Sequence, residues 1–405
     1  MRRVHSGAFS AVALASVLAE ERLPRQERAF LTDLVYGTLR HLLRLDACLR
    51  PRLSKPSRLP ADVRAGLRLA SYEILIRGTP RYAAVHAWVD TLKVRHEAHA
   101  GLVNAVLRRV SEPAELTLAE RGSVPAWLYD SWGAALGEAA AEQAAHGMLQ
   151  SEPLWVTAFA EEASALLQAE GCKVTPGPLK GTLAVQPAKP LAELTAFRRG
   201  LLQPQNPASR LPALVLAAEP DQRVLDLCSG AGIKTAQLAA GGAKVVAVER
   251  DARKVAAAAR NLERLGLDAE HHVADLRSPP QLEPAAKVLL DAPCSGTGTL
   301  RGNPDIKLRL TPEAVAQAAE LQRDLLATAA KLTGRGGLLV YAVCTLTKEE
   351  GVDVARRFLA RHDDFVSEPF DLPVASRSYP EGRYVLPVAG LDGFFIARFR
   401  RTRFA

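Results

Sequence analysis

From about residue 201 onward the chain repeats one pattern, a short apolar run followed by a turn and a helical stretch. The runs are Val224-Leu225-Asp226-Leu227, Lys244-Val245-Val246-Ala247-Val248, His271-His272-Val273, Val288-Leu289-Leu290 and the seven residues 337–343. Strands alternating with helices are the mark of an open α/β sheet, and few other architectures accommodate them. The intervening helices carry their own signals. One starts near Lys234. An alanine-rich one spans 251–265, where Gly266 is suited to the C′ position. Thr311-Pro312-Glu313 supplies an N-cap and a proline at the first helical position, and that helix reads through to Gly334. Residues 394–399 form a late strand that closes the sheet.

The first 200 residues follow different rules. Leu34-Val35-Tyr36, Leu39, Leu42, Leu43 and Leu45 recur at helical spacing, and after a break at 51–56 so do Val63, Leu67, Leu69, Tyr72 and Leu75. Val85, Val89 and Leu92 mark a further helix, and 103–109 closes a set that makes residues 1–112 helical throughout. The two arginines ahead of an alanine-rich start resemble a secretory leader. The apolar stretch is weak and runs straight into a charged helical pattern, so it reads as the first helix. Residues 113–200 form a connector with short alternating pieces at 155–159 and 183–185, a small α+β subdomain.

A chain of 405 residues exceeds one ordinary core, and 48% hydrophobic with 24% charged residues describes a globular protein of two or three domains. No apolar run approaches the roughly 20 residues that a membrane span needs. The formal charge of +8 points to a polyanionic partner. Arginines crowd the helical part (Arg40, Arg44, Arg50, Arg52, Arg58, Arg64, Arg68, Arg77, Arg81, Arg95, Arg108 and Arg109), forming either a solvated face or a surface for RNA phosphates. Five scattered cysteines without a CxxC pair suggest neither a disulfide framework nor a metal site, and imply reduced, cytoplasmic thiols.

In an open α/β sheet, ligands bind beyond the carboxyl ends of the strands. The first such end reads Asp226-Leu227-Cys228-Ser229-Gly230-Ala231-Gly232 and opens a helix, with glycines that let a ligand approach the backbone. Glu249 ends the second strand, where an acid grips a ribose diol, and Asp275 follows the third, placed for an adenine edge. The layout suits either a nicotinamide dinucleotide or S-adenosylmethionine, and these acids also serve as ordinary helix caps. No basic cluster awaits a pyrophosphate, which favours S-adenosylmethionine.

The fourth strand is followed by Asp291-Ala292-Pro293-Cys294. Many amino-nitrogen methyltransferases carry an aromatic residue here to stack the target base, and a thiol cannot do that. A thiolate can instead add to C6 of cytosine, making C5 nucleophilic enough to accept a methyl group. An acid beside N3 stabilises the adduct, and a base must later take the C5 proton. The fifth strand ends Tyr341-Ala342-Val343-Cys344-Thr345, and adjacent parallel strands should bring Cys344 and Cys294 to one pocket. Either cysteine alone reads as a small buried core residue; two of five at neighbouring strand ends do not.

Several stretches together resemble the RsmB/Sun family of RNA (cytosine-5) methyltransferases. Gln205-Asn206-Pro207-Ala208-Ser209 is similar to its Q-D-x-A-S, and 291–298 (DAPCSGTG) matches D-A-P-C-S-G-x-G in full. Asn303-Pro304-Asp305-Ile306-Lys307 resembles H-P-D-I-K, and 341–345 resembles Y-S-T-C-[ST], with Glu349 and Glu350 following. Residues 392–397 match the closing D-G-F-F-x-A, while 34–40 and 103–108 are similar to NusB-domain signatures. Two departures stand out: Ala231 and Ile233 replace a proline and a glycine in the cofactor turn, and Val343 replaces a threonine before the second cysteine.

The resemblance implies an all-α NusB-like domain at 1–112, the connector at 113–200 and a class I, Rossmann-like methyltransferase domain at 201–405. It makes Cys344 the nucleophile and Cys294 the group that assists product release. Asp291 supports N3, and Lys307 contacts the substrate or cofactor side of the pocket. The implied cofactor set is Asp226, Cys228, Ser229, Gly230, Ala231, Gly232, Lys234, Glu249, Arg253, Asp275 and Asp291, holding S-adenosylmethionine. The implied partner is 16S rRNA, bound by a monomer. The other readings are a transfer-RNA cytosine-5 methyltransferase, a non-catalytic NusB-like RNA-binding or antitermination factor, and an oxidoreductase.

Overall fold

Pro24, Pro60 and Pro80 each stand just before a helix and give their carbonyls to its first turn, at positions where a missing N–H costs nothing. A computed structural model describes residues 4, 7–21 and 23–402. The start of the chain as a first helix is seen from Ser10; residues 1–3, 5 and 6 lie outside the described residues. The helices are α1 (Ser10–Glu20), α2 (Arg25–Arg40), α3 (Leu42–Leu49), α4 (Ala61–Leu75), α5 (Arg81–His96), α6 (Ala100–Arg109), α7 (Leu118–Arg121), α8 (Ala126–Leu136) and α9 (Glu138–Gly147). Leu39, Leu45, Leu67, Val103 and Leu107 are fully buried, as their spacing requires.

The chain divides into two compact units. The first holds Met1–Asp130, Ala141–Ser151 and, from much later in the sequence, Leu300–Leu310. Much of its arginine run is spent internally. Arg44, Arg50, Arg68 and Arg77 pair with Glu112, Glu120, Asp46 and Asp33, and Arg81 donates to the carbonyls of Leu107 and Val110.

The second unit begins its β structure with a four-stranded antiparallel sheet in the order β2-β3-β1-β4: β1 (Leu154–Ala158), β2 (Lys173–Pro176), β3 (Thr182–Gln186) and β4 (Leu202–Pro204). Helices α10 (Glu162–Ala169) and α11 (Thr195–Arg198) belong to it, and α12 (Pro207–Leu216) leads on to the large sheet. There the order of elements is β5 (Arg223–Leu227), α13 (Ile233–Ala240), β6 (Lys244–Glu249), α14 (Ala252–Leu265), β7 (Glu270–Val273), β8 (Ala285–Asp291), α15 (Pro312–Lys331), β9 (Thr333–Val343), α16 (Val352–Leu359), β10 (Phe365–Ser367), β11 (Ser376–Tyr379), β12 (Gly382–Val385) and β13 (Phe394–Arg401). The strands lie in the order β11-β12-β13-β9-β8-β5-β6-β7, with β10 also paired to β13.

Strands β5 to β9 run parallel, and Val288 to Leu290 and Leu339 to Val343 are fully buried. Such strands read as unbroken apolar runs because both faces are covered. Two details differ from the sequence reading. Helix α15 stops at Lys331 because Thr333 already pairs with Ala285. Strand β13 runs antiparallel to β9 but does not end the sheet: its other edge takes β12 along one half and β10 along the other.

Candidate active site

The chain moves outward from β5 to β6 and β7, then returns to place β8 on the opposite side of β5. At such a switch point the connections diverge and leave a crevice beyond the strand ends. A cavity of about 270 Å³ lies there, walled by Cys228, Gly230, Glu249, Asp275, Asp291, Cys294 and Cys344, with Leu321 and Leu325 of α15 as its apolar side.

The turn after β5 is built for approach. Cys228 has φ +61° and Gly232 has φ +76°, and a Cβ on Gly232 would stand 2.7 Å from the Ala258 methyl of α14. Nothing lies within 4 Å of the corresponding position on Gly230, and its N–H donates to Glu249 Oε2 at 3.0 Å. A second N–H, from Asp251, holds the other Glu249 oxygen at 3.0 Å. Asp275 is gripped by Arg277, whose hydrogen bonds draw its carboxyl down to about 2. Burial and the neighbouring acids push the Cys228 thiol well above its ordinary value, so it stays neutral.

Of the other expected cofactor contacts, Ser229, Ala231 and Gly232 belong to the turn, and neither they nor Asp226 and Lys234 line the cavity. Asp226 is fully buried with Oδ2 accepting from the Thr235 hydroxyl at 2.6 Å, and burial pushes its pKa up to about 7. Lys234 reaches from the first turn of α13 to Asp291, with Nζ 2.6 Å from Oδ2 and 3.2 Å from Ser209 Oγ. Burial opposes the Lys234 charge, but the Asp291 carboxylate outweighs it and holds the pKa above its ordinary value.

Two further expected residues stand apart from both the turn and the cavity. Arg253 turns out to solvent, its side chain 92% exposed and paired with the helix-capping Asp251. Arg250 and Lys254, which sequence reasoning passed over, line the cavity instead. The expectation was that no arginine or lysine cluster awaits a pyrophosphate, and these two are the basic residues in the wall. Arg250 precedes the α14 cap Asp251 and Lys254 lies in that helix's first turn, so no single helical face announced them. Lys307 belongs to the first unit, where its ammonium donates to the carbonyls of Arg40 (2.5 Å) and Ser123 (2.7 Å) and faces Ser123 Oγ at 3.3 Å. Three acceptors use its three protons and leave none for a ligand. Burial, with Arg40 nearby, pulls its pKa down to about 7.

Strands β8 and β9 pair with Asp291 opposite Ala342, so the chain leaves both at one level. Cys294 and Cys344 are brought together, Sγ to Sγ 3.2 Å, and both are free thiols. The hydrogen bond with Cys344, burial, and the charges of Cys344 and Glu350 push the Cys294 pKa well above its ordinary value. Glu350 itself was noted in the sequence only as one of two following acids. It is fully buried and accepts hydrogen bonds from both cysteine-bearing turns.

The wall fits a nucleoside. It offers an acid at the end of β6 for a diol, another past β7, an open approach over Gly230, and apolar side chains for a base.

Residues 213–400 match the family model for the 16S rRNA methyltransferase RsmB/F, and residues 3–112 match that of the NusB family. The chain is 45% identical to the ribosomal RNA small subunit methyltransferase B of Thermus thermophilus, over 98% of this chain and 95% of that protein. It is 34% identical to a probable ribosomal RNA small subunit methyltransferase B of Bacillus subtilis, over 97% and 95% of the two chains. Among solved structures, that of PH0851 aligns with a TM-score of 0.77 at 24% identity, covering 94% of this chain and 92% of that one, a likeness of fold.

Proposed function

Because the chain belongs to the RsmB/F family of 16S rRNA methyltransferases, we propose that it methylates C5 of a cytosine in 16S rRNA, with Cys344 as covalent nucleophile. The observation that carries this reading is the pair of free thiols 3.2 Å apart beside Asp291, in the wall of a cavity suited to a nucleoside. S-adenosylmethionine, held by Glu249, Asp275 and the turn at 228–232, supplies an electrophilic methyl group.

Every other role falls to side chains of this chain. Cys344 Sγ adds to C6 of the cytosine, and Asp291, braced by Lys234, supports N3 as electron density moves into the ring. After methylation Cys294, as a thiolate that has given its own proton to solvent, takes the C5 proton. The C5–H electrons form the C5–C6 double bond as the C6–S bond breaks and Cys344 leaves as thiolate. The timing of Cys294 follows from the causes of its raised pKa. While Cys344 is free, their hydrogen bond and the Cys344 charge keep Cys294 protonated. Once Cys344 is bonded to carbon it carries no charge, and Cys294 becomes easier to ionise when a base is needed. The target base must leave its stack to reach the cavity, which favours an unpaired RNA segment. The helical 1–112 segment supplies RNA affinity, 201–405 the transfer chemistry, and 113–200 joins them.

Cys344→Ala should abolish transfer, whereas Cys294→Ala should accumulate a covalent protein–RNA adduct on a denaturing gel. An adduct formed by Cys344→Ala inverts the two roles. Bisulfite mapping of rRNA from a deletion strain identifies the base, and a 16S pattern identical to wild type rejects the substrate. A mark lost from transfer RNA instead selects the tRNA reading, while wild-type chain that transfers no methyl group supports the non-catalytic one.

A further inference from the structure

Both cysteine turns end on one carboxylate. Glu350 is fully buried at 0% exposure. Its Oε1 accepts from the Ser295 backbone N–H at 2.8 Å and from Gln322 Nε2 at 2.9 Å. Its Oε2 accepts from the hydroxyls of Thr345 (3.0 Å), Thr347 (2.9 Å) and Ser295. Ser295 follows Cys294 and Thr345 follows Cys344, and the Ser295 and Thr345 hydroxyls also meet at 3.1 Å. Gln322, from α15, donates as well to the carbonyl of Pro293 at 3.0 Å. The Tyr341 hydroxyl closes the network, 2.7 Å from the Glu350 carbonyl and 3.1 Å from Gln322 Oε1.

Five donors saturate a carboxylate, which offers about four lone-pair sites. Glu350 therefore has no capacity left for a substrate, and its whole hydrogen-bonding power goes into the two turns. Nothing else among the described residues bonds to both of the residues that follow the cysteines and is also tied to a helix behind them. An apolar core could not fix this spacing so narrowly, because hydrogen bonds are directional and packing contacts are not.

We propose that Glu350 is the positioning residue of the two-cysteine site: it fixes the spacing of the turns, so that the release thiol stays within reach of the attacking one. This rests on the roles proposed for Cys344 and Cys294. It assigns to Glu350 the second half of the reaction, since attack needs Cys344 alone whereas release needs both thiols in register.

The test is Glu350→Gln in the full chain, assayed on RNA with S-adenosylmethionine in single and multiple turnover. Glutamine keeps the shape but presents an NH₂ group to donors, so the straps are broken without opening a cavity. The expected result is a first turnover within about threefold of wild type. Steady-state turnover should fall at least about tenfold, with a protein–RNA adduct accumulating as in Cys294→Ala. In the double variant Glu350→Gln/Cys294→Ala the adduct level should match Cys294→Ala alone, because both changes remove the same step. Where Glu350→Gln fails to fold, Thr345→Val removes a single strap beside Cys344 and should show the same split more weakly. Equal loss of both rates without adduct would mean a merely structural role and overturns the proposal. If Cys294→Ala itself forms no adduct, the cysteine roles fail; if it does but Glu350→Gln releases product normally, only the Glu350 proposal fails.

Discussion

Gly298 closes the DAPCSGTG run, and its surroundings leave no room for a side chain. Its N–H donates to the Cys344 carbonyl at 3.0 Å, and its carbonyl accepts from the Gly393 N–H at 2.8 Å. A Cβ there would lie 1.9 Å from the Gly393 oxygen, so two segments distant in sequence meet backbone to backbone. Gly298→Ala must push them apart, and overpacking of this kind costs about 1–3 kcal/mol. Thermal unfolding should show that loss, with a further drop in methyl transfer as the Cys344 turn shifts. The cysteines, Glu249 and Asp291 were legible in the sequence because strand ends in a parallel sheet have a known destination. Arg253 was not, since its direction is decided by the ion pair with Asp251. The significance of Glu350 was also hidden: its five donors come from residues 295, 322, 345 and 347, and no local pattern announces that convergence.

At the scale of elements, three pieces of structure converge on one ammonium group. Helix α13 starts directly after the cofactor turn, so Lys234 in its first turn faces the end of β8, Ser209 of α12 and the Phe394 ring of β13, which lies 5.6 Å from Nζ. Lys234→Met would leave Asp291 facing the cavity without its partner, and breaking such a pair costs about 3 kcal/mol. Urea unfolding should register this, and the yield of adduct in the Cys294→Ala background should fall with it, since Asp291 no longer stands braced at N3. A Lys234→Met enzyme that forms adduct at the wild-type rate would sever the link between this pair and the chemistry. The α/β succession was readable from alternating apolar runs, as were the Thr311 cap and the Gly266 stop, both of which the structure bears out. The hairpin of β11 and β12 was not, because Ser376–Tyr379 lacks an apolar pattern and is held in the sheet by its neighbour alone.

Across the whole molecule, the placement of Leu300–Leu310 has a pH signature. Lys307 is 7% exposed in the first unit, with a folded-state pKa near 7 against an ordinary value of 10.5. Between these values the unfolded chain binds a proton that the native one does not, so this group makes stability rise with pH from about 7 to about 10.5. His41, pulled down to about 3 by burial and then by Lys307, acts at lower pH: stability is lost as the pH falls through 6.5, where the unfolded histidine takes up its proton. Urea midpoints should therefore climb from pH 5 toward pH 9. Lys307→Met should flatten the upper part of that rise and His41→Phe the lower; an unchanged upper slope in Lys307→Met would show that its ammonium is not buried as described. The order of elements, the cofactor turn and the meeting of two cysteines were fixed by sequence, because periodicity dictates secondary structure and parallel strands align their ends. Only the tertiary structure decided that Lys307 serves the helical unit and that one buried carboxylate straps both thiol turns. Such contacts depend on which distant groups are left needing a partner after the chain has packed, and local sequence does not encode that.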